Sequence, residues 1–430
     1  PLILGNLLQQ LYNTADSIMV GNFVGSNALA AVGASSSMIY LLIAFSQGAA
    51  VGAGVIVAQY LGAKDKKSVS DAVHTSLVIA GILGIVLTIA GIVLSRQLLE
   101  WMKTPEEVME QAVTYFRLYS AGMFFGIVYN MAAGILNAAG NSKRSLLYLA
   151  VASFTNIILD ILFIAILDMG VAGAAIATDI SQAVSCILSM AFLMRVKDSY
   201  QVSLKKLKIH RRIAGSMIRV GLPTGIQNMV ISLSNVLVQT SVNGFGAAAM
   251  AGYTAYLKVD GFNILPVMSF SMAVTTFAGQ NYGAGNYDRV KKGMYVTLAM
   301  GFVYTVLTGA LLLTFDDQIM GMFSRDAEVI TCGKLAMKYF CPFYFILSIL
   351  HGLSGALRGV GKSIPPMVVL LLSLCVFRIF WIWLVLPHFS TIEGVYLLYP
   401  VSWALGAVMI IIYACTAKWL PAGRQQGKVR

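Results

Sequence analysis

Charged residues are scarce in this chain. Asp, Glu, Lys and Arg make up 11% of its 430 residues, whereas 58% are apolar and the mean hydropathy is +0.78. A water-soluble protein could not hide so much apolar surface, so the composition excludes an ordinary soluble domain. The apolar residues form runs of about 20, the length of helix that crosses a roughly 30 Å hydrocarbon layer. These runs lack strict two-residue alternation, which argues against barrel strands and favours membrane helices.

Motifs for enzymatic chemistry are also missing. The sequence has no phosphate-cradling loop of the Walker type, no His/Cys spacing for a metal and no nucleophile elbow. We therefore expect no ATP-driven step, no resident cofactor and no enzyme activity. The five cysteines show no paired spacing, and we interpret them as packing residues. The formal charge of +12 is gathered in loops between apolar runs, which argues against nucleic-acid binding.

Twelve apolar segments predict an all-α integral membrane protein with two six-helix lobes. We expect the lobes at 1–195 and 216–420, a basic cytoplasmic linker at 196–215 and a cytoplasmic tail at 421–430. Because the sequence starts at Pro1, we expect a short leader and part of the first helix to precede it. The predicted spans are 1–20, 33–60, 70–95, 112–138, 145–166, 170–195, 216–242, 250–280, 290–314, 330–357, 364–386 and 393–419.

Alternate loops between these spans carry the positive charge. Lys64, Lys66 and Lys67 follow the second span, and the stretch from Arg195 to Arg212 follows the sixth. The remaining loops are short and neutral or carry acids. The positive-inside rule places the basic loops and both termini in the cytoplasm, so we expect a multi-pass protein of the inner, or plasma, membrane.

The two halves of the sequence repeat each other. The loop at Gln59, QYLGAKDKKSV, returns 221 residues later as QNYGAGNYDRV at Gln280, and Gly173 and Ser181 return as Gly394 and Ser402. A shared offset over much of the half-length indicates a duplication. Because each copy has an even number of spans, the two lobes are expected to be related by a pseudo-twofold axis along the membrane normal. We expect a substrate to bind between them.

Buried polar residues in the first half predict an ion site. Asp16 lies in the first span, Asn156 and Asp160 share one face of the fifth, and Thr178 and Asn130 lie in the sixth and fourth. Two carboxylates with amide and hydroxyl oxygens suit a small hard cation such as Na⁺. Carboxylates in apolar surroundings also exchange protons, so the sequence does not decide between H⁺ and Na⁺ as the bound ion. The alternative is that these groups only bond across helices.

Other polar residues are candidates for a substrate cavity. The seventh span is rich in amides, and the eighth carries Lys258 and Asp260, which we expect to neutralise one another in part through neighbouring helices. A lone histidine in the tenth span is either a ligand or a helix contact. The candidates are Gln10, Asn13, Asn137, Gln227, Asn228, Tyr256, Asp260 and His351.

The sequence resembles the multidrug and toxic compound extrusion (MATE) family over nearly its whole length. The resemblance rests on the two Q-x-x-G-A loops, on Asn137-AAG-Asn141 and Leu357-RGV-Gly361, on the first-span ADSIMVG and on Asn156-IIL-Asp160. It implies cation-coupled export of organic, often cationic, compounds through a cleft between two lobes. It also implies that Asp16, Asn156, Asp160 and Thr178, with Asn130 nearby, form the amino-terminal cation or proton site.

The expected function is therefore a monomeric antiporter that exports small organic molecules by alternating access. The seventh and tenth spans lack the acids that some family members use, which argues against a carboxy-lobe sodium site of that type. One rival is a lipid-linked oligosaccharide flippase of the same superfamily, which we expect to show a basic central cavity. The other is a channel or membrane receptor, against which the duplication and the buried acids argue.

Overall fold

The structure is a computed structural model that describes residues 1–102 and 104–421. The side chains at 13, 15, 17, 18, 21, 22, 26, 27, 29, 30 and 37 are outside the description. Asn13, a predicted cavity residue, therefore has a described backbone but no described side chain. All but the first residue of the predicted tail at 421–430 also lies outside the described residues.

Helices make up almost all of this part of the chain, and it contains no strand. Short 3₁₀ or π turns interrupt the helices at 161–166, 341–343, 372–376 and 381–388. The α-helices are α1 Leu2–Phe23, α2 Ser26–Gly62, α3 Lys66–Trp101, α4 Glu106–Ala138, α5 Ser142–Asp160, α6 Gly170–Arg195, α7 Arg211–Asn243, α8 Ala247–Gly283, α9 Tyr287–Thr314, α10 Asp316–Gly321, α11 Ala327–Phe340, α12 Tyr344–Gly359, α13 Ile364–Leu371, α14 Phe377–Phe380 and α15 Glu393–Thr416.

Ten helical segments among the described residues are long and apolar enough to cross a membrane. They correspond to ten of the twelve predicted spans, with α11 and α12 forming one segment and α13 and α14 belonging to another. The other two predicted spans are represented by α1 and α7, helices of 22 and 33 residues with several polar side chains. Both helices are long enough to cross a membrane, but their amino-acid composition alone does not identify them as membrane spans.

The duplication is visible in the helix boundaries. α2 and α8 each contain 37 residues and begin 221 positions apart, both after a glycine in the left-handed region, Gly25 and Gly246. α4 covers 106–138, and its counterpart at 327–359 is divided into α11 and α12 by the 3₁₀ turn Cys341–Phe343. Pro342 lies within that turn and removes one backbone donor, which explains why the second copy is broken there.

A close helix crossing also repeats. A Cβ on Gly134 of α4 would lie 2.8 Å from the carbonyl oxygen of Ala50 in α2. In the second copy, a Cβ on Gly355 would lie 2.5 Å from the carbonyl oxygen of Ser271 in α8. Both pairs are 221 positions apart in register. Small residues at such crossings let two membrane helices approach closely.

The chain divides into two compact units, Pro1–Gly225 and Ile226–Arg430. The predicted linker and the first half of α7 belong to the first unit. There His74 of α3 receives a hydrogen bond from the backbone nitrogen of Ser203, 3.0 Å from its Nε2, and Thr75 accepts one from the backbone nitrogen of His210. These bonds attach the linker to α3. α2 also crosses α7 closely, since a Cβ on Gly52 would lie 2.4 Å from the carbonyl oxygen of Met217.

Candidate functional site

Two buried carboxylates lie among the polar residues of the first unit. Asp160 is 0% exposed at the end of α5, where the helix passes into a π turn. Asp16 of α1 is 9% exposed, and the two side chains are close enough for their charges to interact. Both carboxylate oxygens of Asp160 and Oδ1 of Asp16 lack a hydrogen-bond partner among the described residues. Buried acceptors without donors are costly, so the arrangement suits a proton or a small cation.

Asn156 and Thr178 join α5 to α6 beside these acids. The Asn156 amide nitrogen donates to Thr178 Oγ1 over a long 3.5 Å, and both residues are buried. The buried Oδ1 of Asn156 has no partner among the described residues. Tyr115 of α4 lies within electrostatic range of both Asp16 and Asp160. The four residues predicted as a cation site therefore lie in one buried region of the first unit.

A cavity of about 80 Å³ opens next to this region. Residues of α1, α2, α4, α5 and α6 line it, and all of the polar ones carry hydroxyl or amide groups. Two predicted site residues, Asn130 and Asn156, are among them, whereas the acids are not. The polar lining residues are Gln9, Tyr12, Ser46, Gln47, Tyr119, Tyr129, Asn130, Ser153, Asn156, Ser181, Gln182 and Ser185.

Two glycines of α4 make room for polar side chains of α6 at this place. A Cβ on Gly122 would lie 2.1 Å from Oδ1 of Asp179, and one on Gly126 would lie 2.3 Å from Oε1 of Gln182. The Gln182 amide nitrogen donates to the Tyr119 hydroxyl at 3.4 Å. Asp179 is a half-buried acid of α6, and its buried Oδ1 has no partner among the described residues.

Sequence reasoning did not select Asp179 or most of the cavity lining. Asp179 directly follows Thr178, and a charged residue within an apolar span was a signal that could have identified it. The four serines of the cavity gave no such signal, and three of them bond to their own helix. Ser181 donates to the Thr178 carbonyl at 2.7 Å, and Ser153 donates to the Leu149 carbonyl at 2.9 Å. A serine in a helix therefore does not indicate a cavity by itself.

The donor set of the first unit fits a hard cation better than a transition metal. Among the described residues, no three His, Cys, Asp or Glu side chains are grouped as metal ligands. Asp16, Asn156, Asp160 and Thr178 offer only oxygen acceptors, and oxygen is the ligand that small hard cations prefer. The unpartnered oxygens of Asp160 and Asn156 would be satisfied by such an ion, and a proton on Asp160 would supply a donor instead.

The second unit contains a differently arranged acid. Asp260 of α8 is partly buried, and its Oδ1 accepts hydrogen bonds from Tyr344 at 2.7 Å and from Tyr256 at 3.4 Å. Lys258 is exposed, and it makes no ion pair with Asp260 among those of the described residues. The expected neutralisation by lysine is therefore wrong, because Lys258 is exposed and tyrosine hydroxyls of α12 and α8 bond to Asp260 instead.

The other predicted cavity residues lie in several places. Gln10 is half-buried and is not among the residues that line the first unit's cavity, although its neighbour Gln9 is. Asn137 and Gln227 each have a buried side-chain oxygen without a partner among the described residues. Asn228 is half-buried in α7. His351 is 4% exposed in α12, and its backbone carbonyl accepts a hydrogen bond from Ser271 at 2.8 Å.

The sequence profile of the MatE family matches residues 1–162 and 223–384, which lie one in each copy of the repeat. The chain belongs to the MatE family. Its helices, its duplication and its buried acids are therefore those of a multi-pass membrane transporter.

Several MatE relatives match over most of their length. The probable multidrug resistance protein YpnP of Bacillus subtilis (strain 168) is 30% identical over 88% of this chain and 84% of its own. The probable multidrug resistance protein YoeA of the same strain is 28% identical over 96% and 91%, respectively. Relatives named for multidrug resistance thus match both copies of the repeat.

Solved structures of transporters match almost the whole chain. A MOP superfamily transporter from Pyrococcus furiosus matches with a TM-score of 0.90 and 26% identity, over 96% of this chain and 93% of that one. That structure is described by the reverse polarity of its binding pocket, which suggests a different function for it. A MATE transporter in a straight conformation matches with a TM-score of 0.91 and 25% identity over the same shares.

Proposed function

We propose that this MatE protein exports small organic, often cationic, compounds from the cell and is driven by inward flow of H⁺ or Na⁺. The observation that carries the proposal is the pair Asp16 and Asp160, two buried acids in electrostatic range of one another with unpartnered oxygens. A carboxylate near the middle of a membrane costs about 2.5–3.5 kcal/mol on insertion scales. Reversible binding of an ion at Asp16 and Asp160 explains why the protein keeps two carboxylates there despite that cost.

In this proposal the first unit, with its acids and its cavity, is the coupling unit. An ion reaches Asp16 and Asp160 through the polar side chains that line the cavity beside them, where Asn130 and Asn156 supply oxygens. Binding removes the repulsion between the two acids and changes the packing of α1 against α5. This movement favours release of the organic substrate, and loss of the ion on the other side resets the cycle, as alternating access requires.

The relatives support the substrate class. YpnP and YoeA are named as probable multidrug resistance proteins, which fits export of organic compounds. We place the protein in the plasma membrane as a monomer with both termini in the cytoplasm, following its basic loops. The predicted lobes at 1–195 and 216–420 are part of the same proposal.

The decisive experiment is transport by the purified protein in sealed vesicles. Efflux of a fluorescent organic cation is measured under an imposed proton gradient and, separately, under an imposed sodium gradient. We expect one gradient to drive accumulation and its collapse by an ionophore to stop it. Transport indifferent to both gradients would overturn the proposal. Flipping of a labelled lipid-linked sugar, measured in the same vesicles, would support the flippase instead.

A further inference from the structure

Arg378 is a buried cation in the second unit. It lies in α14, inside a segment long and apolar enough to cross a membrane, and is 2% exposed. No ion pair of Arg378 occurs among the described residues. A guanidinium in such a place is costly unless it is well bonded, so its partners need an explanation.

Neutral groups from two neighbouring helices hold this guanidinium. Nε donates to Ser402 Oγ of α15 at 3.1 Å, and Nη1 donates to Ser234 Oγ of α7 at 3.0 Å. Its Cζ lies 4.4 Å from the ring centroid of Tyr399, within the range of a cation–π contact. Ser402 Oγ donates a hydrogen bond to the Tyr399 carbonyl, and Ser234 Oγ donates one to the Leu374 carbonyl. The positive charge is thus spread over hydroxyl and carbonyl dipoles.

Two of these partners are the repeat counterparts of residues around the first unit's site. Tyr399 stands 221 positions after Thr178, and Ser402 stands 221 positions after Ser181. Thr178 contacts Asn156, and Ser181 lines the cavity. The helix that carries Arg378 is the counterpart of α5, and both continue into a π turn, Ile161–Ile166 in one copy and Trp381–Val385 in the other.

A second π turn explains why Arg378, and not Phe377, lies on the buried face of this helix. The strict counterpart of Asn156 is Phe377, but the π turn Leu372–Val376 precedes it in the second unit and has no equivalent in α5. A π turn contains more residues than an α turn. The residue that occupies a given helix face after the turn is therefore shifted along the sequence. Arg378 is buried, as Asn156 is, while Phe377 is only half-buried.

The two units therefore place opposite chemistry at matching positions. The first has acceptors without donors, on Asp160 and Asn156, whereas the second has the donors of Arg378 bonded to acceptors. We propose that Arg378 is a tethered cation, which permanently fills in the second unit the place that an exchangeable ion takes in the first. This inference rests on the proposed coupling site. It assigns ion exchange to the first unit and makes Arg378 a positioning residue for the second.

Removing the tether tests the inference. The variant Arg378→Ala is purified, and its thermal midpoint is measured with methylguanidinium, with Na⁺ and with urea at equal millimolar concentrations. We expect the variant to lose stability and export, and methylguanidinium alone to restore both in a saturable way. The wild type and the variant of an exposed arginine, Arg219→Ala, should not respond. Equal responses of all three proteins would overturn the inference.

A merely structural arginine would also accept methylguanidinium, so a second readout is needed. Once untethered, the cation can leave, and export by Arg378→Ala should then depend on the side of the vesicle to which methylguanidinium is added. Rescue that is the same from either side would reduce Arg378 to a structural role and contradict the inference.

Two further variants keep the test decisive if Arg378→Ala does not fold. Arg378→Lys retains the positive charge, so we expect this variant to export. Arg378→Met has a similar length but no charge, so we expect its export to fall at least about tenfold. Equal export by both would overturn the inference. Normal export by Asp160→Asn would contradict the proposed coupling site. That failure is distinguishable from a failure of the present inference, because the stability readout of Arg378 does not involve Asp16 or Asp160.

Discussion

Gly122 of α4 and Asp179 of α6 meet so closely that a Cβ on the glycine would lie 2.1 Å from the carboxylate oxygen Oδ1. Gly122→Ala must therefore displace Asp179 or separate the two helices. Overpacking of this kind costs about 1–3 kcal/mol, so we expect a lower thermal midpoint and reduced export. Gly81→Ala in α3 is the matched control, because a Cβ there has no neighbour within 4 Å. Similar midpoints for both variants would refute the close packing.

The buried acids Asp16 and Asp160 should be needed for coupling but not for folding. Asp16→Asn and Asp160→Asn remove the exchangeable charge at nearly constant shape. We expect each to lower gradient-driven export at least about tenfold, which corresponds to ~1.4 kcal/mol of lost coupling. Drug resistance of cells and vesicle efflux measure the effect, and surface expression measures folding.

Asp168→Asn is the control for these two variants, because Asp168 is an exposed acid in a turn with a φ of 50°, which asparagine tolerates. It should export normally. If Asp16→Asn and Asp160→Asn also export normally, the coupling role of both residues is wrong.

The Tyr344 hydroxyl should stabilise the second unit through Asp260. It donates to Asp260 Oδ1 at 2.7 Å, while the other tyrosine donor is at 3.4 Å. Tyr344→Phe leaves the carboxylate with the weaker donor, and loss of a hydrogen bond to a charged group costs about 1–3 kcal/mol. We expect a lower thermal midpoint in detergent. Tyr295→Phe, at an exposed position, should leave the midpoint unchanged, and an equal effect of both would contradict the role.

His74 should hold the linker against α3. Its Nε2 accepts the Ser203 backbone N–H, and its Nδ1 lies 2.6 Å from the Ser70 carbonyl. His74→Ala removes this attachment, so trypsin should cleave the basic stretch Lys205–Arg212 several times faster, as gel analysis of timed digests would show. The exposed His388→Ala is the control. Unchanged cleavage after His74→Ala would show that other contacts hold the linker.

Much of the fold followed from the sequence because hydropathy and repetition act locally. Runs of apolar residues gave the helices, and the common offset of the Q-x-x-G-A loops gave the duplication. The four-residue spacing of Asn156 and Asp160 predicted a shared face, and both are buried. The pairing of Lys258 with Asp260 was wrong, since partners on neighbouring helices depend on how those helices pack.

The sequence by itself determined that this protein crosses a membrane as two copies of one helical unit with acids buried in the first. Only the tertiary structure decided which side chains face the cavity, Gln9 rather than Gln10, and that a π turn brings Arg378 to the buried face. The physical reason is one of range. Apolar length and charge cost are properties of a segment, whereas a cavity arises from the crossing of five helices, and one extra residue in a turn rotates every side chain after it.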